Sequence, residues 1–195
     1  MGVDYLMQDT RLIIFDIDDV LNNLMMTTLE IIGVPEKYDL KKRYYVEECP
    51  EIFTADQKET MRRLWEDGNT YRLCKAQPGI GKLNKLLEID NVDLKIHSFC
   101  ASEDAANAKG EFIKSYINIC DDNLNLELNS KTPYKDALVV VEDHFQYLCK
   151  TDSKYKILID KPYNKAEEYG TTDKEQGILR FNSTNDAIEF IMEVL

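Results

Sequence analysis

Positive charge is scarce in this chain. Lys and Arg number 24 against 36 Asp and Glu, a net charge of −12 over 195 residues. Such a surface repels a phosphodiester backbone and excludes long nucleic acid as a partner, but not one small phosphate ester screened by a metal and a few local cations. Long apolar runs are missing too. The longest, ALVVV at 137–141, is far too short to span a bilayer, so no membrane association is expected. MGVDYLMQDT at the start carries acids and no apolar stretch, so it does not read as a signal peptide. Histidine is nearly absent: His97 and His144 stand too far apart for a zinc site, the first read as a hydrogen-bonded strand residue and the second as exposed. The five cysteines (Cys49, Cys74, Cys100, Cys120, Cys149) are odd in number and form no CxxC pair, which points to reduced thiols in a cytoplasmic protein.

What the chain does contain is a set of short, unalternating, β-branched runs: LIIF (12–15), LKIHSFC (94–100), ALVVV (137–141), YKILI (155–159) and ILRF (178–181). These read as strands buried on both faces. Helical patterns lie between them, over 103–118 and over 184–195 after an N-cap at Ser183 or Thr184. Strand–helix alternation predicts an α/β fold, a Rossmann-like parallel sheet with helices on both faces. Between the first two strands lie some seventy residues of mostly helical sequence, including LMMTTLEII and a capping box from Thr54 to Gln57. That exceeds a single crossover. We expect a small helical cap inserted after the first strand, residues 22–90, on a core formed by 1–21 and 91–195. Its aromatics (Tyr44, Tyr45, Phe53, Trp65, Tyr71) are expected mainly to pack the insert.

Acids follow three of the predicted strands without an intervening turn residue. Asp16, Asp18 and Asp19 follow the first, Glu142 and Asp143 follow ALVVV, and Asp160 follows YKILI. Each alone is explained as a turn former or helix cap. In a parallel sheet, however, strand ends collect on one edge, where ligands bind. Carboxylates gathered there repel one another unless a cation sits among them, and an all-oxygen set suits Mg²⁺.

The order of these elements resembles the haloacid dehalogenase phosphatase superfamily: a hydrophobic strand, DIDDV (16–20), a helical insert, and VVVED (139–143) late in the chain. ILIDKPYN (157–164), PGIGKLNKLLE (78–88) and KT (131–132) further resemble the branch of 5′-nucleotidases that includes the 5′(3′)-deoxyribonucleotidases. The resemblance implies a Mg²⁺-dependent phosphomonoesterase that forms an aspartyl-phosphate and dephosphorylates (deoxy)nucleoside monophosphates. Alternatives are a phosphatase for sugar phosphates or polynucleotide 3′-phosphates, or a weakly catalytic phosphate-binding protein. Asp16 would be the nucleophile and Asp18 the general acid–base, both also touching the metal. Asp143 would be a direct metal ligand and Glu142 a supporting one. Lys131, with Lys135 second, would neutralise the phosphoryl oxygens. One departure stands out. The family places a Ser or Thr at the end of the second strand, where this chain has Cys100 and Ala101 between Ser98 and Ser102, and Ser102 is the candidate phosphate binder.

Overall fold

A computed structural model describes residues 10–128 and 130–195. The expectation of no signal peptide falls on residues outside this range. Six strands, β1 (Arg11–Phe15), β2 (Val92–Phe99), β3 (Leu124–Glu127), β4 (Ala137–Glu142), β5 (Ser153–Ile159) and β6 (Ile178–Phe181), form one sheet in the order β3-β2-β1-β4-β5-β6, with every pairing parallel. The five expected strands are all present. The sixth, β3, was not anticipated: its LNLE is four residues long, half polar, and sits at the sheet edge, where it needs no continuous apolar run.

Strand geometry explains the covering of both faces. Successive side chains point to opposite sides, so Ile13, Phe15, Val139, Val141, Ile157 and Ile159 join one cluster while Ile14, Val140 and Leu158 join another. The first cluster is closed by α5 (Glu103–Lys114) and α7 (Thr184–Val194), and the second by α6 (Phe145–Lys150). Ser102 and Ser183 cap α5 and α7 through bonds accepted from Ala105 N and Asp186 N.

Between β1 and β2 the chain forms α1 (Leu24–Ile31), α2 (Ala55–Glu66), α3 (Gly68–Leu73) and α4 (Leu83–Leu87). The capping box at Thr54 is present, with Gln57 closing it reciprocally. Met25, Leu29, Val46, Cys49, Phe53 and Met61 form a small apolar cluster together with Tyr163 from the segment after β5, whereas Leu83 and Leu86 of α4 join the large cluster on the sheet. No described helix is long and apolar enough to cross a membrane.

Candidate active site

β1 lies at the point where the strand order reverses, with β2 on one side and β4 on the other. The crevice beyond its carboxyl end is where an open α/β sheet accommodates a ligand. Register fixes what stands there: Phe15 pairs with Val141, and the Asp16 N–H donates to Val141 O, so Asp16 emerges beside Glu142 and Asp143. Their carboxylate oxygens lie within 4.8 Å of one another, the one such group found among the described residues. All three residues are buried. Lys131 donates to Asp16 Oδ1 at 2.6 Å and also to Glu142. Burial alone would lower the Lys131 pKa, but Asp16 and Glu142 override it and hold the ammonium above the ordinary lysine range. Glu142 and Asp143 are pushed well above the carboxylate range, first by burial, and for Asp143 next by Asp19 and Asp16.

Two carboxylate oxygens here, Glu142 Oε2 and Asp143 Oδ1, are buried without any partner, as is His144 Nε2 beside them. Such orphans are costly unless something is to be bound. A hard divalent cation fits this donor set, with Asp16, Glu142 and Asp143 offering oxygen alone. Asp143 is held from behind. Its Oδ2 accepts from Tyr163 Oη at 2.8 Å, and its main-chain carbonyl accepts from Asn164 Nδ2 at 2.8 Å.

Asp18 stands at the mouth of the same crevice, bonded at 2.5 Å to Lys109 Nζ and at 3.3 Å to Asn22 Nδ2. Burial raises its pKa, Lys109 opposes, and Asp16 adds to the rise. Lys109 also reaches Ser98 Oγ at 3.0 Å and Phe99 O. Sequence reasoning missed Lys109. The signal was a lone lysine on the apolar face of α5, four residues after Ala105 and three before Phe112, both buried, where it is itself 1% exposed.

Several expected residues are placed elsewhere. Ser102 does not line the crevice: its hydroxyl caps α5 and donates to Glu66 O at 2.5 Å. The serine that lines the cleft with Asp16, Asp18 and Glu142 is Ser98, four residues earlier near the end of β2, where its hydroxyl accepts from Lys109 Nζ at 3.0 Å. Asp19, buried at φ 57°, accepts from Met25 N at 3.2 Å and so caps the start of α1. Asp160 does not join the metal-type cluster; Lys165 and Arg180, the latter at 2.7 Å, engage its carboxylate instead. Lys135 is exposed. His97 is fully buried, 3.4 Å from Tyr147 Oη, as a core histidine. His144 is half-buried rather than exposed, because Tyr44 of the insert stacks on it at 3.8 Å between ring centres. Its ring is thereby desolvated, and burial lowers its pKa to about 4.

A cleft of about 570 Å³ runs between the insert and the sheet edge, lined by Asp16, Asp18, Ser98, Lys131, Glu142 and His144. A smaller cavity of about 160 Å³ adjoins it at Asp18, with Tyr44, Tyr45, Trp65, Tyr71 and Phe99 in its walls. Of the five aromatics named from the sequence, Phe53 is a member of the small cluster, while Tyr44, Tyr45, Trp65 and Tyr71 line the cavity, Tyr44 and Trp65 also packing against that cluster.

Neither any family profile nor any curated protein sequence matches the chain. Solved structures do. A hydrolase from Pseudomonas syringae superposes with a TM-score of 0.55 at 15% identity, covering 95% of this chain and 99% of that one. A conserved haloacid dehalogenase-like protein from Agrobacterium tumefaciens gives 0.54 at 15% identity, over 96% and 99% of the two chains. The chain has the haloacid dehalogenase fold. A candidate β-phosphoglucomutase from Thermotoga maritima shares that fold at TM-score 0.52 and 14% identity, over 95% and 100% of the two chains.

Proposed function

We propose that this protein is a divalent-cation-dependent phosphomonoesterase acting through an aspartyl-phosphate. The observation that carries the reading is the convergence of Asp16, Glu142 and Asp143 around buried orphan oxygens, with Lys131 beside them and Asp18 at the mouth of the cleft.

Asp16, Glu142 and Asp143 would hold Mg²⁺, which supplies charge neutralisation for an incoming phosphoryl group. The remaining work belongs to the chain. The Asp16 carboxylate attacks phosphorus in line, forming a new O–P bond as the bond to the ester oxygen breaks. Lys131 leaves Asp16 to meet the phosphoryl oxygens, and Ser98 Oγ lines the same cleft. Asp18 gives its proton to the departing alkoxide. It then takes one from the water that hydrolyses the aspartyl-phosphate, restoring Asp16 and releasing phosphate. Lys109 holds the Asp18 side chain toward the cleft meanwhile.

Sugar phosphates are the first substrate class we propose. The fold shared with candidate β-phosphoglucomutases from Thermotoga maritima and Bacteroides vulgatus supports them. The second reading, nucleoside monophosphates, is favoured by one observation: the cavity beside Asp18 is walled by four aromatic residues of the insert and Phe99, a surface on which a planar base stacks. Phosphate release from parallel panels of sugar phosphates and nucleoside monophosphates, with Mg²⁺ and with chelator, tests both. Mg²⁺-dependent release that disappears in Asp16→Asn is expected. No release from either panel would overturn the proposal.

A further inference from the structure

Tyr163 belongs to the segment after β5, yet its ring is buried in the apolar cluster of the insert, 1% exposed, among Met25, Leu29, Val46, Phe53 and Met61. Tyr38 and Tyr44 of the insert meet it edge to face at centroid separations of 6.2 and 6.0 Å. Lys41 Nζ lies 3.8 Å from the ring centre, a cation seated over an aromatic face. Lys41 is itself fully buried and donates to Tyr44 O, on the residue that stacks against His144. The opposite end of Tyr163 is its hydroxyl, bonded to Asp143 Oδ2, while Asp143 Oδ1 has no partner. One side chain therefore has its ring in the packing of the insert and its hydroxyl on the carboxylate aimed at the cation site.

We propose that Tyr163 is a positioning residue that couples the seating of the insert to cation binding at Asp143. The inference rests on the metal-site reading given above and deepens it. A phenol on Oδ2 and a cation on Oδ1 fix the same carboxylate from two sides, so each lowers the ordering cost of the other. Coupling of this kind is reciprocal: a well-seated insert tightens cation binding, and the cation must tighten the insert by the same factor. Asn164 reinforces the path, because it holds the Asp143 carbonyl and the Ile159 carbonyl together while accepting from Arg180 at 2.8 Å.

Tyr163→Phe separates the two ends, since it keeps the ring in the cluster and deletes only the hydroxyl. Calorimetric titration with Mg²⁺ should show roughly 10- to 100-fold weaker binding than wild type, the range found when a group supporting a metal ligand is removed. Hydrogen exchange over 55–66 gives the reciprocal readout. In wild type Mg²⁺ should slow exchange of α2. In Tyr163→Phe the metal-free exchange should stay near wild type while the Mg²⁺-dependent slowing is lost. Unchanged Mg²⁺ affinity in Tyr163→Phe, or α2 exchange in wild type that ignores Mg²⁺, would overturn the coupling and leave the metal site standing. Absence of any Mg²⁺ binding by wild type would overturn both.

Discussion

Removing one oxygen from Asp16 and from Asp18 should have unlike consequences, because the two carboxylates have unlike neighbours. Asp16 faces Glu142, Asp143 and Lys131, and in the proposed mechanism it attacks phosphorus while Glu142 and Asp143 are committed to the cation. Asp16→Asn should reduce phosphate release to background in a folded protein. Asp18 is engaged by Lys109 and Asn22 and is proposed to move a proton. Asp18→Asn should cost about 10²–10⁴-fold on an alkyl phosphate, the usual contribution of general acid–base catalysis, and less on an aryl phosphate whose leaving group needs little protonation. Steady-state rates on both substrates check this; equal losses on the two would remove the acid role from Asp18. At this scale the sequence showed the acids plainly, since each followed a buried strand. Asp160 shows the limit of that rule: its partner Arg180 sits on the neighbouring strand β6, and only the lateral order of strands reveals that the cation is there. Lys109 and Ser98 were hidden for a different reason. A polar residue on a helix face or in a strand becomes legible only once the residue opposite is known.

Elements were more legible than contacts. Apolar runs found every central strand of the sheet, while β3 escaped because an edge strand is permitted polar residues that a central one is not. The turn into the short helix before α4 makes a sharper point. Gly79 has φ 91°, and a Cβ there would lie 2.9 Å from Asn185 Cα, at the start of α7. Gly79→Ala meets a disfavoured backbone and a clash with main chain at once, so we expect a loss of about 1–3 kcal/mol. Urea denaturation measures it. A loss below about 0.5 kcal/mol would mean that α7 gives way, and would count against a rigid junction between the insert's exit and the sheet layer.

For the molecule as a whole, the buried acidic cluster is a cost to the unliganded fold. Glu142 and Asp143 are buried together with Asp16 and held against their preferred charge state. Sites kept ready for a ligand in this way cost the unliganded fold. In chelator, Asp143→Asn should therefore be more stable than wild type, by about 1 kcal/mol, because a repulsive carboxylate is replaced by an amide of the same shape. With saturating Mg²⁺ the order should reverse, since a ligand that binds only the native state stabilises it in proportion to ln(1 + [L]/Kd). Thermal melts of both proteins in chelator and in Mg²⁺ read the crossing directly. Melting curves that keep the same order in both conditions would count against a cation site at Asp143.

The chain carries a single tryptophan, and its position has a practical consequence. Trp65 packs against both the small cluster of the insert and the large cluster on the sheet, donates from Nε1 to Thr28 Oγ1 at 3.1 Å, and walls the cavity beside Asp18. Its indole is a built-in optical gauge of that junction, reporting from one known place without any label. A ligand group that enters the cavity should displace solvent from the indole and shift or quench its emission. With Mg²⁺ kept saturating throughout, a phosphate ester held only at the acids should leave the emission nearly unaltered, so a fluorescence titration would separate ligands by where their non-phosphate portion rests.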